Sequence, residues 1–216
     1  MYVFFRAWRQ LVEVPKYWKR AKHYVICDET AFASPRINTV RRWILDYRLN
    51  DDARKKVLDL LFSFVADNED YVVESLDNYI NLATVSVTKL EKAICKIVHF
   101  ANLHERIPDA VFRAISQFPD SKLKEMVLNS VSLDEVTSES FSSAVTKIEK
   151  IELGFIGKNS GQIQAMYSAI SQCAELKLKS LRLEPDTGLL NVDLDTLARA
   201  FCRIVNVVLW ECELTK

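Results

Sequence analysis

A six-residue pattern of apolar positions recurs along the chain. The form is apolar-x-x-apolar-x-apolar, in which x is any residue, as in Leu178-Lys-Ser-Leu181-Arg-Leu183, and two of the seven copies have asparagine, Asn78 or Asn102, at the last position. The middle apolar residues of the copies are spaced by 33, 24, 26, 25, 30 and 26 residues. Such spacing is typical of a protein built by stacking one repeated unit. The middle residues of the seven copies are Trp43, Leu76, Phe100, Met126, Ile151, Leu181 and Val207.

The spacing inside the pattern predicts a short strand. Side chains alternate between the two faces of a strand, so the last two apolar positions of a copy point into the core together. The residue between them and the residue after them point outward. Because one such strand cannot bury its apolar side alone, we expect the strands to stack as a parallel sheet over a continuous core.

The segments between the copies predict helices, because apolar residues recur in them at helical spacing. The chain has only 4 Gly and 5 Pro, which favours helices over tight turns. The alternation predicts an α/β solenoid, in which a curved parallel sheet has helices on its convex side. An all-helical repeat is the alternative. The predicted helical segments are Asp51–Asp67, Pro108–Phe118, Ser160–Cys173 and Asp193–Cys202.

Three segments align without a gap and share a basic residue just before the strand pattern. That residue is Lys96, Lys147 or Arg203. Cys95 and Cys202 occupy the same position in two of these segments, directly before the basic residue. A recurring small residue at this point predicts buried cysteines that serve packing rather than chemistry.

The repeats resemble those of leucine-rich repeat proteins of the ribonuclease-inhibitor-like kind, in which a helix replaces the loop of shorter repeats. The resemblance covers residues 37–216, with about seven repeats. Cys212, three residues after Leu209, matches the family's asparagine or cysteine position. The resemblance implies a protein-interaction scaffold that binds its partner on the concave strand face.

Residues 1–36 predict a short helical cap. Within them Arg6-Ala-Trp8-Arg-Gln-Leu11 is followed by Trp18, which resembles the closing portion of an F-box: Arg-x-Trp-x-x-Leu, a spacer and a second Trp. The first half of an F-box is absent from the sequence. The resemblance implies a substrate-receptor subunit of a cullin ubiquitin ligase, which would bind the ligase adaptor through the cap. A plain amphipathic cap is the alternative.

The outward strand positions carry both charge signs and a few apolar groups. Such a surface suits a protein partner better than nucleic acid, which requires a basic stripe. Aromatic and arginine side chains dominate interface energies, so two aromatic residues and one arginine are the expected anchors. The predicted partner-binding residues are Asp77, Tyr79, His99, Glu152, Arg182 and Trp210.

The formal net charge is zero but unevenly distributed. Residues 1–50 carry ten Lys or Arg and four acids, a balance of +6, which leaves −6 for residues 51–216. An acidic repeat region supports an alternative function, a ribonuclease-inhibitor-like inhibitor or sensor that binds a basic protein. Raised salt would weaken such binding.

The remaining patterns argue against other classes. Five cysteines without a CxxC pair do not predict a disulfide framework. The apolar start of the chain is broken by Arg6 and Arg9, so it is not a signal peptide, and no apolar run is long enough to span a bilayer. We expect an intracellular, cytoplasmic protein.

The chain ends just after its last strand pattern, so we expect the stack to continue in further residues or in another chain.

Candidate chemistry is weak. His99 and His104 are five residues apart, which does not suit two metal ligands on one helix face. The glycines around Lys158 resemble a phosphate loop only faintly, because the first glycine and the Ser or Thr of that motif are missing. We therefore expect no enzymatic activity, no cofactor and no metal.

Overall fold

The computed structural model describes residues 24–26, 42–45, 51–78, 81–104, 106–154, 160–184 and 192–209. Strands and helices alternate along most of this part of the chain. The strands are β1 (Tyr24–Ile26), β2 (Arg42–Leu45), β3 (Val73–Asn78), β4 (Ile97–Asn102), β5 (Glu125–Asn129), β6 (Lys150–Gly154), β7 (Ser180–Leu183) and β8 (Asn206–Leu209). The helices are α1 (Asp51–Asp67), α2 (Val87–Ile94), α3 (Asp109–Gln117), α4 (Ser138–Lys147), α5 (Ser160–Gln172) and α6 (Leu194–Phe201), and a 3-10 turn at Leu82–Thr84 precedes α2.

The eight strands form one parallel sheet in which the spatial order follows the chain order. Each of the strands β2 to β7 pairs with the strand before it and the strand after it, and each helix packs against the next helix along the chain. The middle apolar residues predicted from the repeat pattern are direct neighbours across the sheet, from Trp43 beside Leu76 to Leu181 beside Val207. The predicted parallel α/β arrangement and its register are therefore confirmed.

Strand β1 lies inside the segment predicted to be a helical cap. Tyr24 pairs with Trp43 and Ile26 pairs with Leu45, so the sheet begins before residue 37. The sequence signal for this strand is three consecutive residues with high strand propensity, Tyr24-Val25-Ile26, which do not form the six-residue pattern. The rest of residues 1–36 lies outside the described part, so the predicted cap stays a prediction.

Burial alternates along the strands as the pattern predicts. On β7, Leu181 and Leu183 are 0% exposed, whereas Ser180 before them and Arg182 between them are half-buried. Apolar side chains from the helices join the inward side chains in one core that runs from Trp43 to Ile204. The helices therefore cover one face of the sheet, and the other face remains accessible in the described part.

The basic residue before the strand pattern joins neighbouring units. Lys96 donates hydrogen bonds to three carbonyl oxygens at the end of α1, at 2.9–3.0 Å. Lys147 and Arg203 reach the carbonyls at the ends of α3 and α5 in the same way. A helix leaves its last carbonyls without partners and carries a partial negative charge there, so a cation is well suited to this position. Each cation thus ties its own unit to the helix of the unit before.

Two core positions of the repeat hold asparagine instead of an apolar residue. Asn78 and Asn102 are adjacent in the sheet and both are 0% exposed. The side-chain Nδ2 of Asn78 donates to Oδ1 of Asn102 at 2.6 Å, and Nδ2 of Asn102 donates to the carbonyl of His104 at 2.9 Å. Because buried amides are costly without partners, these bonds explain how the core accepts them.

Within the described residues, the helices are too short or too polar to cross a membrane.

Candidate functional site

On the side of the sheet that the described helices do not cover, side chains form two columns, which we call the strand face. Each column runs across the sheet because neighbouring strands are paired in register. The side chains are mostly half-buried, as expected for residues that alternate with a buried set. The first column is Arg42, Ser75, His99, Glu125, Lys150, Ser180 and Asn206, and the second is Asp77, Ala101, Val127, Glu152, Arg182 and Val208.

Four of the six predicted partner-binding residues lie on the strand face. Glu152 and Arg182 are register partners, and Arg182 Nε lies 3.7 Å from Glu152 Oε1. Asp77 and His99 lie on the adjacent strands β3 and β4, in different columns. The sheet therefore brings Glu152 and Arg182 into contact and places Asp77 and His99 on neighbouring strands. The remaining two, Tyr79 and Trp210, lie outside the described residues.

The strand face also holds a charged cluster that the sequence analysis did not single out. Glu125 on β5 stands between His99 on β4 and Lys150 on β6. Its Oε2 lies 2.8 Å from His99 Nδ1, and its Oε1 accepts a hydrogen bond from Lys150 Nζ. The signal was available in the repeat register, which places these three residues in one column.

Burial works to raise the pKa of the Glu125 carboxyl, since water is partly excluded from it. The hydrogen bonds and charges of Lys150 and His99 outweigh that effect and leave this pKa below its ordinary value of 4.5. The carboxylate is therefore ionised at neutral pH and holds its two neighbours together.

Further ion pairs cross the sheet beside the strand face. Arg42 donates from Nε and Nη2 to the two carboxylate oxygens of Glu74, at 2.9 and 2.6 Å. Glu149 directly precedes β6, and Lys179 directly precedes β7. Lys179 Nζ lies 2.9 Å from Glu149 Oε2, and this lysine lowers the pKa of the Glu149 carboxyl. Charges of opposite sign thus face each other across successive strands.

We expect Glu125→Gln to reduce the free energy of unfolding by about 0.5–1 kcal/mol at pH 7, because it removes a paired carboxylate. The effect is small since both cations are nearly half exposed to water. A carboxyl with a lowered folded pKa stabilises the fold above its unfolded pKa, and this stabilisation disappears as the pH falls through the folded value. The difference between the native chain and the variant should therefore shrink below pH 4.5. Urea unfolding at several pH values measures this difference in the free energy of unfolding.

The matched control for this variant is Glu175→Gln, in an exposed position between α5 and β7. This substitution should leave both the stability at pH 7 and its pH dependence nearly unchanged. Equal pH profiles for the native chain and Glu125→Gln would contradict the assigned role of the cluster.

The two described histidines, His99 and His104, have different partners. His99 contacts Glu125, whereas His104 Nδ1 accepts a hydrogen bond from the backbone N–H of Arg106 in the loop after β4. Among the described residues, no group of three or more His, Cys, Asp or Glu side chains is arranged to hold a metal ion.

The cysteine prediction is right for one residue and wrong for the other. Cys95 is buried, and burial raises the pKa of its thiol to about 11, so the thiol stays protonated and unreactive at neutral pH. Cys202, at the end of α6, is exposed. Packing therefore explains Cys95 but not Cys202.

The chain matches no known protein family and no curated protein. Its function is therefore argued from the strand face itself.

Proposed function

We propose that this protein is a non-catalytic scaffold of the leucine-rich repeat class that binds a protein partner on the strand face. The repeat class is supported by the helix that follows each of the strands β2 to β7 and by in-register stacking of successive units in the described part. The binding role is supported chiefly by a single observation, that among the described residues the helices cover one face of the sheet and leave the other accessible. In stacked repeat proteins, such an extended surface is the usual place for a partner.

The charge of the strand face favours a protein partner over nucleic acid. Its two columns contain three basic residues, Arg42, Lys150 and Arg182, and as many acidic residues, Asp77, Glu125 and Glu152. Nucleic-acid binding depends on a surplus of basic groups that displaces counterions from phosphates. A balanced surface with both signs fits the mixed surface of another protein.

We propose further that the partner is a substrate of a cullin ubiquitin ligase and that the N-terminal segment binds the ligase adaptor. This finer proposal depends on the F-box-like residues Arg6, Trp8, Leu11 and Trp18. Pull-down of the adaptor with the full chain tests it. Binding that is lost on Trp8→Ala would support the ligase role, and no binding by the native chain would leave only the scaffold.

Affinity capture with mass spectrometry tests the scaffold function. One variant combines Glu152→Ala with Arg182→Ala and His99→Ala, which leaves the formal charge unchanged. The control combines Gln164→Ala, Ser168→Ala and Gln172→Ala on α5, away from the strand face. We expect the strand-face variant to lose the proteins that the native chain and the control both retain.

Two results would argue against this function. If the α5 variant lost the partners and the strand-face variant kept them, the helices would be the binding surface. If the captured proteins were basic and were released by moderate salt, the inhibitor-like alternative would be favoured.

A further inference from the structure

The last described strand, β8, leaves its core side chains only partly covered. Val207 and Leu209 are half-buried. Their register neighbours on β7, Leu181 and Leu183, are 0% exposed. Exposed apolar side chains that gather in one unit mark a place where another surface packs. Of the six large apolar side chains exposed in the described part, three belong to the unit formed by α6, β8 and the residues between them: Leu194, Val205 and Val208.

The edge of β8 lacks the features that keep a strand from pairing with another chain. Natural edge strands are guarded by charged side chains, by proline or by a bulge. Strand β8, Asn206-Val-Val-Leu209, has no charged residue and no proline, and its register with β7 is continuous. In the described part of the sheet, no further strand lies beyond it. This edge is therefore open to the addition of a strand.

The backbone groups that an added strand would use follow from the existing ladder. The N–H of Asn206 donates to the carbonyl of Lys179, just before β7, at 2.9 Å. Backbone groups of alternate residues in a strand point to opposite sides. Those of Asn206 and Val208 thus face β7, whereas those of Val207 and Leu209 face the open edge. Val207 and Leu209 each offer one N–H donor and one carbonyl acceptor there.

These groups match a second copy of the same strand that runs antiparallel. With a two-fold axis at Val208, Val207 of one copy lies opposite Leu209 of the other, and the two residues exchange N–H···O bonds. The symmetry repeats this exchange on the other side of the axis. Side chains of opposite residues share a face, so Val207 and Leu209 of both copies stay on the core side, and the two Val208 side chains meet on the strand face. Only apolar side chains are paired across these three positions.

We propose that two copies of this chain associate through β8, antiparallel about a two-fold axis at Val208, and so join their sheets into one. A two-fold contact requires a single self-complementary patch, and two-fold dimers are the commonest symmetric assemblies. The pairing strand has only four residues, so the association is weak and depends on concentration. The inference goes beyond the binding role of the strand face and does not depend on it. In the dimer the strand faces of both copies form one continuous surface.

Sedimentation equilibrium of the full native chain tests the self-association. We expect a monomer–dimer equilibrium, and Val208→Lys should raise its dissociation constant at least about tenfold, because like charges would lie directly opposite each other at the axis. The matched control is Val127→Lys, which makes the same change on the internal strand β5 and should leave the dissociation constant unchanged. A native chain that stays monomeric up to roughly 1 mM would overturn the inference.

Oxidation of Val208→Cys in the full chain tests the geometry, and it remains decisive if circular dichroism shows that Val208→Lys is poorly folded. Opposite residues at the axis form a non-hydrogen-bonded pair with Cα atoms about 4.5 Å apart, within reach of a disulfide. We expect peptide mapping by mass spectrometry to find position 208 of one copy linked to position 208 of the other. Val127→Cys is the control and should give no link between its two introduced thiols.

Two mapping results would contradict the proposed pairing. A folded Val208→Cys chain without a link between the two positions 208 would show that β8 does not meet its own copy at this residue. A link from position 208 to Cys27, which directly follows β1 in the sequence, would indicate head-to-tail stacking of copies instead. Head-to-tail stacking forms open chains rather than closed dimers, so sedimentation would also detect species larger than a dimer.

Discussion

Replacing Leu181 by alanine lowers the free energy of unfolding by about 2–5 kcal/mol. Leu181 is 0% exposed and lies in the inward column between Ile151 and Val207. Truncation removes buried methyl groups and leaves a cavity that strands on both sides prevent from collapsing. Urea unfolding followed by circular dichroism measures the loss.

The neighbouring residue provides the matched control. Arg182 lies on the same strand but on the strand face, where its guanidinium is 3.7 Å from Glu152 and partly exposed. Arg182→Ala should therefore cost no more than about 1 kcal/mol. Equal losses at the two positions would mean that inward and outward side chains do not alternate on β7.

Replacing Asn102 by alanine lowers the free energy of unfolding by about 2–4 kcal/mol. The substitution removes the acceptor of the Asn78 amide and the donor to the His104 carbonyl, both supplied by the fully buried side chain that ends β4. Buried groups that lose a partner bear a desolvation cost, and the missing side chain leaves space in the core. Thermal unfolding, checked against urea unfolding, measures the change.

A double replacement isolates the paired amides. Other units hold leucine at the same position, as Leu128, Leu153 and Leu183 illustrate. Asn102→Leu alone should be strongly destabilising. Asn78→Leu combined with Asn102→Leu restores an apolar column, so its loss in the free energy of unfolding should be smaller than the sum of the losses of the two single variants. Strict additivity would show that the two amides do not depend on each other.

The sheet and its register could be predicted because burial leaves a strong trace in the sequence. A shift of one residue would expose every inward side chain of a strand, so the apolar spacing around Phe100 or Leu181 permits one register only. Helix α1 was predicted with the same bounds, Asp51–Asp67, since its apolar residues recur over several turns.

Other features left a weaker trace. Strand β1 has only three described residues, too few to show the full repeat pattern. The role of Lys96 was hidden because its acceptors are backbone carbonyls of the preceding unit, and backbone groups have no sequence signature. The buried bond between Asn78 and Asn102 depends on two strands lying side by side.

The candidate site was predicted less completely than the fold. Outward positions are not constrained by burial, so the sequence indicated which residues share a face but not which ones pair. Glu125 illustrates this, since its two cations come from different strands and its pKa depends on both. Tyr79 and Trp210 remain predictions.

Cross-linking between introduced cysteines tests most directly that the strands lie side by side in chain order with one face open. In a chain whose native cysteines are replaced, the pairs Ala101→Cys with Val127→Cys and Val127→Cys with Glu152→Cys occupy adjacent strands, about 5 Å apart. The pair Ala101→Cys with Glu152→Cys is separated by one strand, about 10 Å. We predict that dibromobimane, a short thiol cross-linker, joins the first two pairs efficiently and leaves the third largely unjoined. Efficient cross-linking of the third pair, or none in the first two, would contradict the account.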